Sequence, residues 1–264
     1  MAISIPPPRL LTDSRILIAG GTSGVGLASA LRFAEQGAPG IVLIARDPVR
    51  GAEAVKRISL LAPSTKAWFV AGDANDPQDL ERAAVEARAH LGRIDVLVNS
   101  TASNYVPNLL HNIPLDQIAA MFTKQALPPI YLSRIVLPWM REQRGGSIIN
   151  LASDAAKVAT PGETVLGGAM AAIVMFSRTL AIEAKRDGIR VNAVTPSLIA
   201  GTPTAALVLK DGFSKKLFES ATALAHLGVA EPEDLAALIV FLGSPESARL
   251  TGQAISVNGG ISAA

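Results

Sequence analysis

No cysteine occurs among the 264 residues, which removes disulfides, thiolate nucleophiles and Cys-ligated zinc together. That absence is compatible with a reducing cytoplasm, where the chain is expected to reside. Histidine is scarce as well: His90, His111 and His226 show no paired ligand spacing, so no metal site is expected. Charge is thin and nearly balanced. The formal excess is +2 and the basic residues are scattered, which leaves no phosphate-binding face and makes nucleic acid an unexpected partner. The opening MAISIPPPRLLTDS lacks a basic start followed by a long apolar run and does not read as a secretory signal. No apolar stretch is read as long enough to span a bilayer, so no membrane partner is expected. There is no repeat of fixed period and no low-complexity linker, and Pro6 to Pro8 mark only an extended leader over residues 1–12.

What the sequence does contain is apolar bulk, 49% of the chain, and 22 glycines. That is enough for one large core, and nothing in the composition divides it, so a single domain over 1–264 is expected. Short β-branched runs alternate with longer segments of helical period. Strands are expected at Arg15–Ala19, Gly40–Ala45, Ala67–Gly72, Asp95–Asn99, Ser147–Ala152, Arg190–Thr195 and Gln253–Val257. Helices are expected over Val25–Gln36, Val49–Leu61, Pro77–Leu91, Leu115–Arg144, Glu163–Arg186 and Pro232–Leu242, with a less regular helical stretch around Thr204–Ala223. Strand, helix, strand repeated end to end specifies an α/β Rossmann-type doubly wound fold, with a seven-stranded parallel sheet flanked by helices. Pro128 within the fourth helix lacks an N–H and crowds the carbonyl of Lys124, which predicts a kink.

After the first strand comes AGGTSGVG, with Gly20, Gly24 and Gly26 spaced GxxxGxG at the mouth of a helix and Thr22, Ser23 and Val25 between them. A turn this tight needs residues without a β-carbon, and it offers free N–H groups at the positive end of a helix dipole to a pyrophosphate. Taken alone, such a turn can also be mere punctuation. About twenty residues on, where an acid would grip the ribose 2′-hydroxyl of NAD, the second strand ends in Ala45 followed by Arg46. A guanidinium there suits a 2′-phosphate, so NADP(H) is favoured over NAD(H); Arg46 also reads as a solvated strand-end charge. Asp73, followed by Ala74, is placed either to meet the adenine edge or to serve as an acid at a helix N-terminus.

Together with NSTA after the fourth strand, INLAS at the fifth, GIRVNAVTPS at the sixth and LTGQAISVNGG near the end, these features make the chain resemble the short-chain dehydrogenase/reductase family over essentially its whole length. The resemblance implies a Rossmann-type domain, commonly a tetramer, in which Ser, Tyr and Lys handle protons while NAD(P) carries hydride. Asn99 then opens the motif normally read NNAG, and Ser153 matches the family serine. Thirteen residues beyond Ser153, the tyrosine position holds Leu166, and four residues later the lysine position holds Met170. Neither side chain can exchange a proton, and general acid–base help is worth typically 10²–10⁴ in rate. The family's helix asparagine, which supports a water chain toward the lysine, aligns with Gln125. At the nicotinamide end Pro196 is followed by Ser197 in place of the usual Gly, and Thr202 lies one residue later than the threonine that often contacts the carboxamide. Residues 201–225 correspond to the variable substrate lid.

A substitute acid is therefore sought. Glu163 lies one turn before Leu166 and reads either as a carboxyl raised by an apolar pocket or as an exposed acid at the helix N-terminus. Lys157, Asp154, Tyr105, His111, Lys124 and Tyr131 are further candidates near the pocket. Ser153 has no histidine aligned to serve as its base and is not an activated nucleophile. The expectation is an atypical NADP(H)-dependent oxidoreductase acting on a carbonyl or alcohol of an apolar small molecule, assembled as a homo-oligomer, a tetramer or dimer. The alternative is a catalytically silent nucleotide- or ligand-binding protein, or a partner subunit of an active relative.

Overall fold

The computed structural model describes residues 6–210 and 212–264; the first five residues of the expected leader, and Asp211 of the expected lid, lie outside them. The strands are β1 (Arg15–Ala19), β2 (Gly40–Ala45), β3 (Lys66–Ala71), β4 (Val96–Asn99), β5 (Gly146–Leu151), β6 (Ile189–Pro196) and β7 (Ala254–Val257). They form one sheet in the order β3-β2-β1-β4-β5-β6-β7, every pairing parallel. The helices are α1 (Gly24–Glu35), α2 (Pro48–Leu61), α3 (Pro77–Leu91), α4 (Leu115–Glu142), α5 (Thr164–Ala184), α6 (Pro203–Val208), α7 (Gly212–Leu224) and α8 (Pro232–Gly243). The leader is not extended throughout, because Leu11–Asp13 close a single 3₁₀ turn.

Both faces of the strands are apolar, which is why the sheet is covered twice. In β1, Ile16 and Ile18 face one core with Phe33 of α1 and Leu235 and Ile239 of α8. The alternate residues Leu17 and Ala19 face a second core with Leu80 of α3, Leu132 and Val136 of α4, and Leu180 of α5. Asp47 and Asp76 start α2 and α3 by accepting first-turn N–H groups, each followed by proline at the first helical position. Arg190 of β6 ends α8: its guanidinium donates to the Leu242 and Ser244 carbonyls and to Ser247 Oγ, and burial pushes its pKa down to about 10.

α4 runs as one helix through Pro128, Pro129 and Pro138, so the kink expected at Pro128 does not end it; Pro128 and Pro129 are buried, and packing keeps the helix whole across the missing N–H groups. One expectation needs correction. The stretch Thr164–Asp187, with mean hydropathy 1.8 over its most apolar window, is long and apolar enough by composition to cross a membrane. It is nevertheless a helix against the sheet, with Ala169, Ile173, Leu180 and Ala181 buried; its Gly- and Ala-rich composition comes from close packing on its neighbours.

In β order the chain reverses direction of travel between β1 and β4, and the loops leaving these two strands part to open a crevice at their carboxyl ends. The candidate site lies there.

Candidate active site

The crevice is a cavity of about 690 Å³ that runs from the end of β2 past the glycine turn to α5 and α7. At its first end the turn after β1 is held in a conformation that only glycine tolerates. Gly20 and Gly24 have φ of 77° and 49°. A Cβ on Gly20 would stand 2.3 Å from the Ser100 carbonyl oxygen, and one on Gly26 would stand 2.3 Å from the Gly20 carbonyl oxygen. Ser23 caps α1 without a side-chain hydrogen bond, so the first-turn N–H groups keep their capacity for an anion. Thr22, Ser23, Gly24 and Val25 line the cavity, whereas Gly26 lies beneath the turn and does not. These residues fit the pyrophosphate of a dinucleotide.

Arg46, Asp47 and Arg50 line the same end. Both carboxylate oxygens of Asp47 are engaged, Oδ1 by the Val49 and Arg50 N–H groups and Oδ2 by Arg50 Nε at 2.7 Å. Those bonds, with the Arg50 charge, hold its carboxyl below the usual range. Arg46 is exposed and has no hydrogen-bond or ion-pair partner among the described residues. Asp73 and Ala74 also line the cavity; Asp73 Oδ1 accepts from Asn75, and its other oxygen makes no hydrogen bond among the described residues.

Asn99 does not line the cavity. It is buried below it, with Nδ2 donating to Asn150 at 2.8 Å and to Ser133 at 3.3 Å, while its Oδ1 is buried without a partner. Pro196, Ser197 and Thr202 all face the cavity. The Thr202 hydroxyl caps α6 by accepting from Ala205 N–H at 3.1 Å, which leaves its methyl against Gly24.

At the far end Ser153, Glu163, Leu166 and Met170 share the cavity wall. Ser153 follows β5 and caps a 3₁₀ turn, its Oγ accepting from Ala155 N–H at 3.2 Å, so its own proton is free to be donated. Gly167 brings α5 close beneath this turn: a Cβ there would stand 2.8 Å from the Ala155 carbonyl oxygen. Leu166 packs with Met121 and Val165. Glu163 precedes α5 but makes no capping hydrogen bond, and it is half-buried rather than an exposed helix-end acid. Burial, with the charge of Asp154 adding to it, pushes its carboxyl up to about 7.

The other candidate acids separate. Tyr105 and Asp154 line the cavity; Lys157, His111, Lys124 and Tyr131 do not. Lys157 is spent elsewhere, its Nζ donating to Ser256 Oγ and to the Ala264 carbonyl, each at 2.6 Å. Burial lowers its pKa, partly offset by Asp154. Phe218 and Leu224 of α7, within the expected lid, and Gln125 of α4 complete the wall, together with Ser103, Ile261 and Ser262, which carry no sequence signal. The described residues contain no cluster of His, Asp and Glu able to hold a metal.

Residues 19–262 match the family model described as Enoyl-(Acyl carrier protein) reductase. The chain is 32% identical over 252 residues to the uncharacterized oxidoreductase MT0954 of Mycobacterium tuberculosis, covering 95% of this chain and 93% of that protein. It is 31% identical to the 3-oxoacyl-[acyl-carrier-protein] reductase FabG of Thermotoga maritima, covering 93% and 96% of the two. The solved structure of YwfH, an NADPH dependent reductase involved in bacilysin biosynthesis, superposes with a TM-score of 0.86 at 25% identity, covering 96% of this chain and 100% of that one.

Proposed function

The chain belongs to the short-chain dehydrogenase/reductase family, an oxidoreductase family, and from that membership we propose that it is an atypical NADP(H)-dependent member acting on a carbonyl or alcohol of an apolar small molecule. In this reading Leu166 and Met170 stand at the family's tyrosine and lysine positions. The observation that carries it is that Ser153 and Glu163 share one wall of the glycine-cradle cavity with those two apolar residues.

NADP(H) is favoured by the end of β2. The one acid there, Asp47, is consumed in capping α2 and pairing with Arg50, so no carboxylate is left to accept from ribose hydroxyls. Arg46 has a free guanidinium for a 2′-phosphate. The NADPH dependent reductase among the structural neighbours supports the same choice. Asp73 offers its unbonded oxygen to the adenine amine, and Thr22 to Val25 cradle the pyrophosphate.

When bound, NADPH supplies the hydride. Ser153 donates its hydroxyl proton in a hydrogen bond to the carbonyl oxygen, polarising it and steadying the charge that develops there. Glu163, a carboxyl that titrates near neutrality, gives its proton to that oxygen as the alcohol forms and is left as a carboxylate. Leu166, Val158, Leu198 and Phe218 exclude water and favour an apolar substrate. Exposed apolar side chains on α4 and α5, Leu115, Met175 and Ile182, support self-association as a dimer or tetramer.

The test is turnover of NADPH with a broad carbonyl panel. Wild type is expected to consume NADPH with at least one apolar ketone or aldehyde, and Ser153→Ala and Glu163→Gln are each expected to lose most of that rate. No turnover, or variants equal to wild type, rejects the reading. The second reading, a silent nucleotide-binding member, is favoured by the loss of both proton-handling side chains at Leu166 and Met170; NADPH binding without turnover supports it.

A further inference from the structure

Gln125 of α4 is 5% exposed and borders the cavity. Its orientation is fixed by Ser103. The Ser103 backbone N–H, 3.2 Å away, can only donate, so the carboxamide oxygen faces it and accepts from Ser103 Oγ as well, at 2.6 Å. The NH₂ group is therefore turned away from Ser103, and its acceptor among the described residues is Met170 Sδ at 3.8 Å. A thioether is a weak acceptor. A buried amide nitrogen with two N–H groups is thus left with almost no partner, a state that an oxygen in the cavity would relieve.

The position of this donor identifies the oxygen. Ser103 belongs to the segment after β4 whose Ser100 carbonyl presses on Gly20, so Gln125 is tied to the cofactor side of the crevice and not to the α7 side. It touches the very side chain, Met170, that replaces the family's ribose-holding lysine. We propose that the Gln125 amide N–H is a cofactor-binding donor that grips a hydroxyl of the nicotinamide-bearing ribose, delivering from α4 the hydrogen bond that α5 no longer provides. The proposal rests on the reading that NADP(H) is the cofactor.

The test is calorimetric titration with NADPH and, in parallel, with adenosine 2′,5′-bisphosphate, which lacks the second ribose. Gln125→Leu is expected to weaken NADPH by about tenfold or more and to leave the bisphosphate within about twofold. Adding Met170→Lys to Gln125→Leu is expected to restore NADPH affinity, because an ammonium then reaches the same hydroxyl. Equal weakening of both ligands, or an unchanged NADPH affinity in a folded variant, overturns the proposal while sparing the cofactor reading. Wild type that binds neither ligand overturns both.

Discussion

Ser262 Oγ donates to Asp154 Oδ2 at 2.6 Å across 108 residues of chain, and Asn258 Nδ2 donates to the same oxygen. Ser256 Oγ, at 2.9 Å, donates to Oδ1. A buried carboxylate next to Ser153 thus anchors the segment that supplies Ile261 and Ser262 to the cavity wall. The same segment is fixed at its other side, where Leu227 N–H donates to the Gly259 carbonyl just beyond the end of α7. Asp154→Ala removes the acceptor shared by the buried Asn258 amide and the half-buried Ser256 and Ser262 hydroxyls and is expected to cost roughly 2–4 kcal/mol in urea unfolding, with faster amide exchange over residues 258–264. Asp154→Asn, which keeps the shape, is expected to cost less. A loss below about 0.5 kcal/mol for the alanine variant would show that the segment is held by its backbone alone.

Glu163 gives a pH dependence of defined sign. Its folded pKa, about 7, lies above the ordinary 4.5, so the folded state binds more protons between those values and stability falls as pH rises through that window. The contribution is complete below about 4.5, is lost as pH passes 7, and is at most about 3 kcal/mol. Glu163→Gln is expected to flatten this part of the stability curve. Reduction should fall over the same upper range, because only the protonated carboxyl can donate, and the fall should disappear in the variant's residual rate. Parallel pH profiles in wild type and Glu163→Gln would remove Glu163 from the proton path.

The glycine cradle makes a steric prediction. Gly26→Ala places a methyl 2.3 Å from the Gly20 carbonyl oxygen, and the three atoms nearest to it, from Gly20 and Gly21, are all backbone. The turn has to open, and NADPH affinity is expected to fall by more than about tenfold while melting drops only modestly, at an overpacking cost of about 1–3 kcal/mol. Titration of a folded variant checks this; retained affinity would place the pyrophosphate elsewhere.

Much of the fold was legible because its signals are local. The glycine spacing after β1 and the alternation of short β-branched runs with helical segments follow from neighbours a few residues apart, and the strands lie within a residue of their expected ends. Environment was harder to read. Glu163 has one sequence and two readings, and only the packing of α5 onto the turn after Ser153 decides that its carboxyl is half-buried. Ser103, Ile261 and Ser262 carry no motif, since their role comes from loops that meet only in the fold. The continuity of α4 through three prolines is likewise a tertiary outcome. Lys157 looked available in sequence, yet its ammonium is bound to Ser256 and Ala264.

The last prediction separates an altered enzyme from a silent one. Leu166 and Met170 are one helical turn apart on the cavity side of α5, so Leu166→Tyr with Met170→Lys places a phenol and an ammonium on one face of the cavity that Ser153 also lines. The cost of the exchange is the burial of a charge, and Gln125 and Ser103 are the polar neighbours that lessen it. If the cradle holds the nicotinamide productively, the double variant is expected to gain at least about 10²-fold in NADPH-dependent reduction of simple ketones over wild type, the lower end of what acid–base assistance supplies. Each single variant should gain far less, because the lysine acts by lowering the pKa of the tyrosine. A double variant that melts cooperatively, binds NADPH and still turns nothing over would mean that the crevice needs more than those two side chains, and that it holds a nucleotide without presenting it to a substrate.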